Sequence, residues 1–295
     1  MVVAESGNSV TDRHFARLAL ALLLGAPLVA AGSPLDAQWA PEMVLTDSSA
    51  APTPFGPGEH LVYRVKLGWF NVGYGHLTME GLEYVGDRLT YRATMGINGR
   101  AVMSLDDSYT TWFDLETLQS WRFTRDMNQG SYKGTRDYVF DPQRMMWERQ
   151  DNDESGPLPS PIPFDEITFM YFIRTLPLEV GETYTFDRYF KETGNPVTVE
   201  VLRRDTRETD AGEFNTIVVR PSFRDEGLFS EEGEAELHFT DDDRRLLVYM
   251  WVNMPNFPGG ISLHLQSITE GFPVNPNSRT EAMMARERRG GTARR

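Results

Sequence analysis

Apolar and polar side chains alternate at every second position along much of this chain, and that period leaves few folds open to it. Leu61, Tyr63, Val65 and Leu67 alternate with Val62, Arg64 and Lys66, and Leu89, Tyr91, Ala93 and Met95 with Thr90, Arg92 and Thr94. Further on, Val197, Val199 and Val201 alternate with Thr198, Glu200 and Leu202, and Ile261, Leu263 and Leu265 with Ser262, His264 and Gln266. Successive side chains of a strand point to opposite faces, so this is the pattern of strands with one buried face. Turn signals recur roughly every 8–12 residues, among them Val85-Gly86-Asp87, Asn98-Gly99, Gln129-Gly130 and Ala211-Gly212-Glu213. Strands this closely spaced leave no room for helical crossovers, which argues against a parallel sheet. The spacing predicts a mainly β chain. It would form a single antiparallel sheet, strongly curled into a barrel-like or sandwich domain.

One segment departs from the period. Asp165 can cap a helix whose apolar positions Ile167, Met170, Tyr171, Ile173 and Leu176 follow helical spacing, with Pro177 as the stop; this predicts one short helix near residues 165–176. No repeat at about 20–50 residues is present, which disfavours a propeller or solenoid.

The ends read differently. Arg13 and Arg17 precede an uncharged apolar run at 18–31, followed by the small residues Ala30-Ala31-Gly32-Ser33. A membrane span needs about 20 apolar residues, so residues 1–37 are expected to be a cleaved signal peptide, with an uncleaved anchor as the alternative. The expected compartment is the periplasm or the cell exterior. Residues 38–57, rich in Pro, Ala and Ser, read as a linker. Residues 58–271 form the β-rich body. Residues 272–295, with six arginines against two glutamates, read as a basic, disordered tail.

Composition excludes several chemistries. There is no cysteine, so disulfides, thiolate metal sites, cysteine catalysis and a cysteine-linked lipid anchor are unavailable. A net charge of −14 argues against nucleic acid as a partner. The histidines are isolated in sequence and form no metal-binding pair, although His60 and His264 could approach across strands. Asp151 to Gly156 begins like a calcium loop, but Ile162 stands where a bidentate Glu is required. No nucleophile elbow, phosphate loop or dinucleotide motif is present. No metal site and no cofactor are expected. Paired acids such as Asp106-Asp107, Asp165-Glu166 and Asp241-Asp242-Asp243 would have to converge in a cleft to act as glycan-hydrolase carboxylates; adjacency in a strand or turn does not bring that about.

Two groups of residues remain as binding candidates. Trp69, Phe70, Trp112, Trp121, Phe123, Trp147, Phe169, Phe172, Phe190, Phe239, Met250 and Trp251 exceed what a thin sandwich needs. Core filling is the default for them, and Arg174 is expected to pair with a carboxylate elsewhere in the chain or with carbonyls at the helix C-terminus. The sharper alternative is an apolar cavity for a lipid-like ligand, lined by Trp69, Phe70, Trp112, Trp121, Phe123 and Trp251, with Arg174 gripping an anionic head at its mouth. Met254 and Phe257, in an apolar yet turn-forming loop, and Arg288 and Arg289, in the basic tail, are candidates for partner contact.

Several motifs also occur in a familiar order. They are Phe55-Gly56-Pro57-Gly58-Glu59-x-Leu61-x-Tyr63, Trp69 to Gly73, Asp165…Tyr171-Phe172-x-Arg174-x-x-Pro177-Leu178-x-x-Gly181, Thr209-x-x-Gly212-x-Phe214, and Phe239-x-Asp241-Asp242-x-Arg244-Arg245. Over residues 55–271 this order resembles the exported bacterial family called domain of unknown function 3108. The resemblance implies an exported, antiparallel β-rich domain and offers no catalytic residues. The expected role is binding of a hydrophobic ligand or cell-envelope component. The alternatives are an interaction subunit of an envelope complex and, behind it, a glycan hydrolase.

Overall fold

Alternation becomes one antiparallel sheet in the computed structural model, which describes residues 53–100, 104–224, 234–254, 257–272 and 274. The segment expected to be a signal peptide, most of the expected linker, and the expected tail with Arg288 and Arg289 lie outside the described residues. Fourteen strands are present among those described. In chain order they are β1 (His60–Leu67), β2 (Phe70–Val85), β3 (Arg88–Arg100), β4 (Ser104–Asp114), β5 (Ser120–Gln129), β6 (Tyr132–Asp141), β7 (Met146–Arg149) and β8 (Ser155–Pro157), then β9 (Thr183–Phe186), β10 (Val197–Thr209), β11 (Gly212–Ser222), β12 (Ala235–Thr240), β13 (Leu247–Met254) and β14 (Phe257–Thr269). Strands consecutive in the chain pair with one another, except β8 with β9, and β1 also pairs with β14, so the order runs β8 back to β1, then β14 back to β9. The two free edges are therefore β8 and β9, which follow one another in the chain. The sheet does not close between them.

Helix α1 (Glu166–Ile173) occupies the connection between those edges. Asp165 caps it, its carboxylate accepting from the backbone N–H groups of Ile167 and Thr168. Every helical residue except Phe172 is buried, as expected for a helix that is apolar all round. It is shorter than the predicted segment: Arg174 is its C-cap. Leu178, at φ +46°, lies beyond its end.

Register shifts interrupt seven of the ladders, and such bulges raise the local twist that curls a sheet. Gly73 and Gly99 face each other across β2 and β3. A Cβ on Gly73 would lie 2.1 Å from the carbonyl oxygen of Asn98, so only glycine permits this backbone approach. The inner face carries a continuous core that includes Leu61, Tyr63, Tyr91, Phe113, Phe123, Val199, Leu237 and Leu265. The body begins earlier than the linker reading placed it. Phe55 is buried against Tyr91, Phe113 and Tyr171, at ring separations of 5.7, 6.3 and 4.9 Å, because the apolar inner face extends past the start of β1.

Candidate functional site

Polar groups inside the curled sheet hold its parts together. Arg174 and Glu59 are both buried; Nη1 donates to Oε1 at 2.5 Å and Nη2 to Oε2 at 2.8 Å. Nη2 also reaches the carbonyls of Pro54 and Arg244, so one guanidinium ties α1 to the start of the body and to the β12–β13 turn. The sequence expectation of a grip on a ligand's anionic head meets this arrangement: both terminal nitrogens are engaged within the chain, far from bulk water. At the other end of α1, the second Asp165 oxygen accepts from Thr111, Ser120 and Thr168. Burial pushes the Asp165 carboxyl above its ordinary range, against the opposing effect of those hydrogen bonds. Glu166 pairs with Arg125 and accepts from the Tyr189 hydroxyl.

Strand alternation separates the remaining aromatic candidates. Phe123 faces inward and packs against Tyr138, which in turn meets Trp147 and Phe190. Trp112 lies on the outer face between Arg92 and Arg122, whose guanidinium carbons are 5.6 and 5.0 Å from its ring. Trp121 lies under Arg88 at 3.9 Å. These are cation–π stacks on the sheet exterior, not the lining of an interior cavity. The same outer face carries a row of His238, Tyr249 and His264, rings edge to face at 5.0 and 4.9 Å. Arg207 stacks on Tyr249 at 4.0 Å and lies 3.2 Å from His238 Nε2. Burial and then Arg207 hold His238 down at about 4, and burial and then Lys66 do the same for His264. His264 thus stacks on Tyr249, whereas His60 lies near His76 at 5.9 Å; the anticipated His60–His264 approach does not occur.

Trp69 and Phe70 stand apart from all of these. They form the β1–β2 tip and are 92% and 74% exposed, with Tyr74 of β2 at 62%. Leu67 pairs with both Phe70 and Ile261, and the Gly68 N–H donates to the Gly260 carbonyl at 2.9 Å, so this tip is fastened to the β13–β14 hairpin. Trp251 strengthens that hairpin from the outer face, its Nε1 donating to the Gly259 carbonyl at 2.9 Å. Met254 pairs with Phe257 at the end of the same hairpin. The structure therefore brings Trp69, Phe70, Trp251 and the backbone of Met254 and Phe257 to one end of the sheet. It leaves Trp112, Trp121, Phe123 and Arg174 elsewhere. Sequence reasoning missed Tyr74, which alternation already placed on the polar face, and Glu59, whose pairing with Arg174 spans 115 residues.

Acidic pairs remain dispersed. Asp106 is exposed and Asp107 buried, on opposite faces of β4; Asp107 accepts from Asn128 N–H and the Gln129 side chain. Asp151, first residue of the calcium-like stretch, binds Arg149 and the Asp137 N–H. Among the described residues, no group of three His, Asp or Glu side chains could hold a metal ion.

A family model described as "Protein of unknown function (DUF3108)" matches residues 62–266. The chain belongs to the DUF3108 family. A search of curated proteins gave no match. Among solved structures, this DUF3108 chain is similar to a β-barrel-like protein of domain of unknown function DUF1849 from Brucella abortus, at TM-score 0.51 and 11% identity, covering 75% of this chain and all of that one. It also matches a candidate lipoprotein from Parabacteroides distasonis (TM-score 0.32, 11% identity, 74% and 99% covered). A third match is a candidate exported protein with a YmcC-like fold from Bacteroides fragilis (TM-score 0.33, 9% identity, 74% and 99% covered). The first of these likenesses extends the barrel-like architecture to a second family of unknown function, and at this identity it speaks to fold alone.

Proposed function

We propose that this DUF3108 chain is an exported cell-envelope protein that acts by binding an apolar envelope component, with the joined β1–β2 and β13–β14 hairpin end as its contact surface. The reading is carried by Trp69 and Phe70: adjacent aromatic side chains, 92% and 74% exposed, on a tip pinned by backbone hydrogen bonds. Leaving such a side chain in water forgoes about 1.5–3 kcal/mol relative to burial, and contiguous exposure of this kind marks a contact. Export is supported by the apolar run at 18–31 behind Arg13 and Arg17. Among the described residues, no helix is long and apolar enough to cross a membrane. Binding rather than catalysis is favoured because the interior carboxylates Glu59, Asp165 and Glu166 serve as partners for Arg174, the α1 cap and Arg125. The aromatic interior around Phe123 is spent on ring-to-ring packing, which favours a surface contact over a ligand held among those rings.

The test is fractionation of bacterial cells producing the full chain. The wild type is expected in the envelope fraction, and Trp69→Ser/Phe70→Ser in the soluble periplasmic fraction with unchanged thermal stability. Equal partition of the two proteins would overturn this reading.

A further inference from the structure

Three arginine side chains pack on α1: Arg125 on Glu166, Arg174 on Tyr171 and Arg188 on Phe172. The first two hold buried carboxylates, those of Glu166 and Glu59. Arg188, two residues past β9, holds none. Its guanidinium carbon lies 4.8 Å from the Phe172 ring and 5.4 Å from that of Phe164. Nε donates to the Ile162 carbonyl at 2.7 Å and Nη2 to the Thr117 carbonyl at 3.2 Å. Glu116 and Asp187, next in the chain to Thr117 and Arg188, form no ion pair with it. Nη1 has no partner among the described residues, yet it is open to solvent. Burial, with no described acid opposing it, lowers the guanidinium to about 10, so it remains charged at neutral pH. An enclosed charge without a counter-charge is unfavourable, and it stands here in a chain with 43 acids against 29 bases.

We infer that Arg188 binds the carboxylate of an apolar acid, the head on its Nη1–Nη2 fork and the hydrocarbon laid over Phe172 and Phe186. The two carbonyls hold the Nε side of the guanidinium and fix its direction. The Nη1–Nη2 end keeps N–H groups free to meet two carboxylate oxygens in parallel. One cation matches one negative charge, whereas a phosphate monoester carries about 1.5–2. Beside the guanidinium the surface is apolar. Phe172 is the one α1 residue that is not buried, and its ring meets the part-exposed Phe186 edge to face at 5.0 Å. An apolar wall with few, fixed polar groups is the usual make-up of a ligand site. The site is separate from the contact surface proposed above. Thr117 lies in the β4–β5 turn, and Asp114 before it pairs with Thr90, near the Val85–Arg88 end of β2 and β3 and opposite the Trp69–Phe70 tip. The anionic grip for which Arg174 was the candidate thus falls to an arginine with a free edge.

The test is titration of the full chain with dodecanoate carrying carbon-13 at its carboxyl, below the concentration at which it forms micelles, followed by nuclear magnetic resonance. The wild type is expected to bind dodecanoate at least tenfold more tightly than dodecanol, a comparison that needs no variant. Arg188→Met should weaken dodecanoate binding at least tenfold, through loss of charge-assisted hydrogen bonds. Arg188→Lys, which keeps the charge but not the fork, should weaken it by less. Circular dichroism checks that each variant is folded. The chain lacks cysteine, so a nitroxide can be placed on Glu116→Cys, exposed beside Thr117, or on Asn71→Cys, exposed beside the tip. The label at 116 should broaden the bound carboxyl signal and the label at 71 should not. Equal binding of dodecanol, undiminished binding by folded Arg188→Met, or broadening from 71 alone would each overturn the inference; the last would place the acid on the contact surface instead. Dihexanoylphosphatidylglycerol that displaces dodecanoate from the wild type at a lower concentration would assign the fork to a phosphodiester and overturn the carboxylate.

Discussion

Replacing Arg174 by Met tests the central tie of the domain. Both members of the Arg174–Glu59 pair are 3% exposed, and the guanidinium donates two hydrogen bonds to the carboxylate and one each to the Pro54 and Arg244 carbonyls. Met fills a similar volume but donates nothing, leaving a buried carboxylate without its counter-charge and two carbonyls short of a donor. Breaking one side of a buried pair costs about 3–5 kcal/mol, whereas replacing both partners with well-packed groups is often near neutral. Arg174→Met is therefore expected to lower stability by about 4 kcal/mol. At roughly 2–4 °C per kcal/mol for a domain of this size, Tm should fall by about 10 °C. The double variant Arg174→Met/Glu59→Leu should recover more than half of that loss, a coupling of about 2 kcal/mol or more. Urea unfolding followed by circular dichroism, with Tm from calorimetry, gives both quantities. If the two single losses simply add in the double variant, or if Arg174→Met costs under about 1 kcal/mol, the pair is not working as an isolated buried ion pair. The reasoning that removes Arg174 from the ligand-gripping role would then fail with it.

Phe55→Ala, which deletes a ring packed against Tyr91, Phe113 and Tyr171, should cost about 3–5 kcal/mol in the same unfolding assay; a loss below about 1 kcal/mol would return Phe55 to the linker. Stability should also fall on acidification through His238. Its folded value of about 4 lies below the ordinary 6.5, so the unfolded chain takes up the proton first. The stabilising contribution is complete above about pH 6.5 and is lost as pH drops toward 4, with a ceiling of about 3 kcal/mol. Arg207 and Glu236 face the same ring, so the measurement is the difference between wild type and His238→Gln in Tm across that window. Parallel curves for the two proteins would show that His238 is not the group responsible.

How far the chain could be read without its fold depends on the range of the physics involved. Alternation along one strand is a local property. It yielded the antiparallel strands, the inward set led by Leu61, Tyr63 and Val65, and the separation of Asp106 from Asp107. The Asp165 cap was equally local, since a carboxylate meets N–H groups two and three residues ahead of it. The helix beyond it was less legible, because an apolar stretch fits an amphipathic helix and a fully buried one alike, and only the packing around α1 distinguishes them. Which face an aromatic residue takes was lost where a bulge reset the register, as at Trp121, which lies between Ser120, paired with Phe113, and Arg122, paired with Trp112.

Strand propensity, turn positions, the leader-like run at 18–31 and the missing cysteine were fixed by the amino-acid order alone, because each depends on neighbours a few residues apart. Tertiary structure decided the pairing of β1 with β14, the partnership of Arg174 with Glu59, and the meeting of the β1–β2 and β13–β14 hairpins at one end. Those depend on contacts between residues tens to hundreds of positions apart, and the free energy of closing such loops is settled by the whole buried surface rather than by any segment of it.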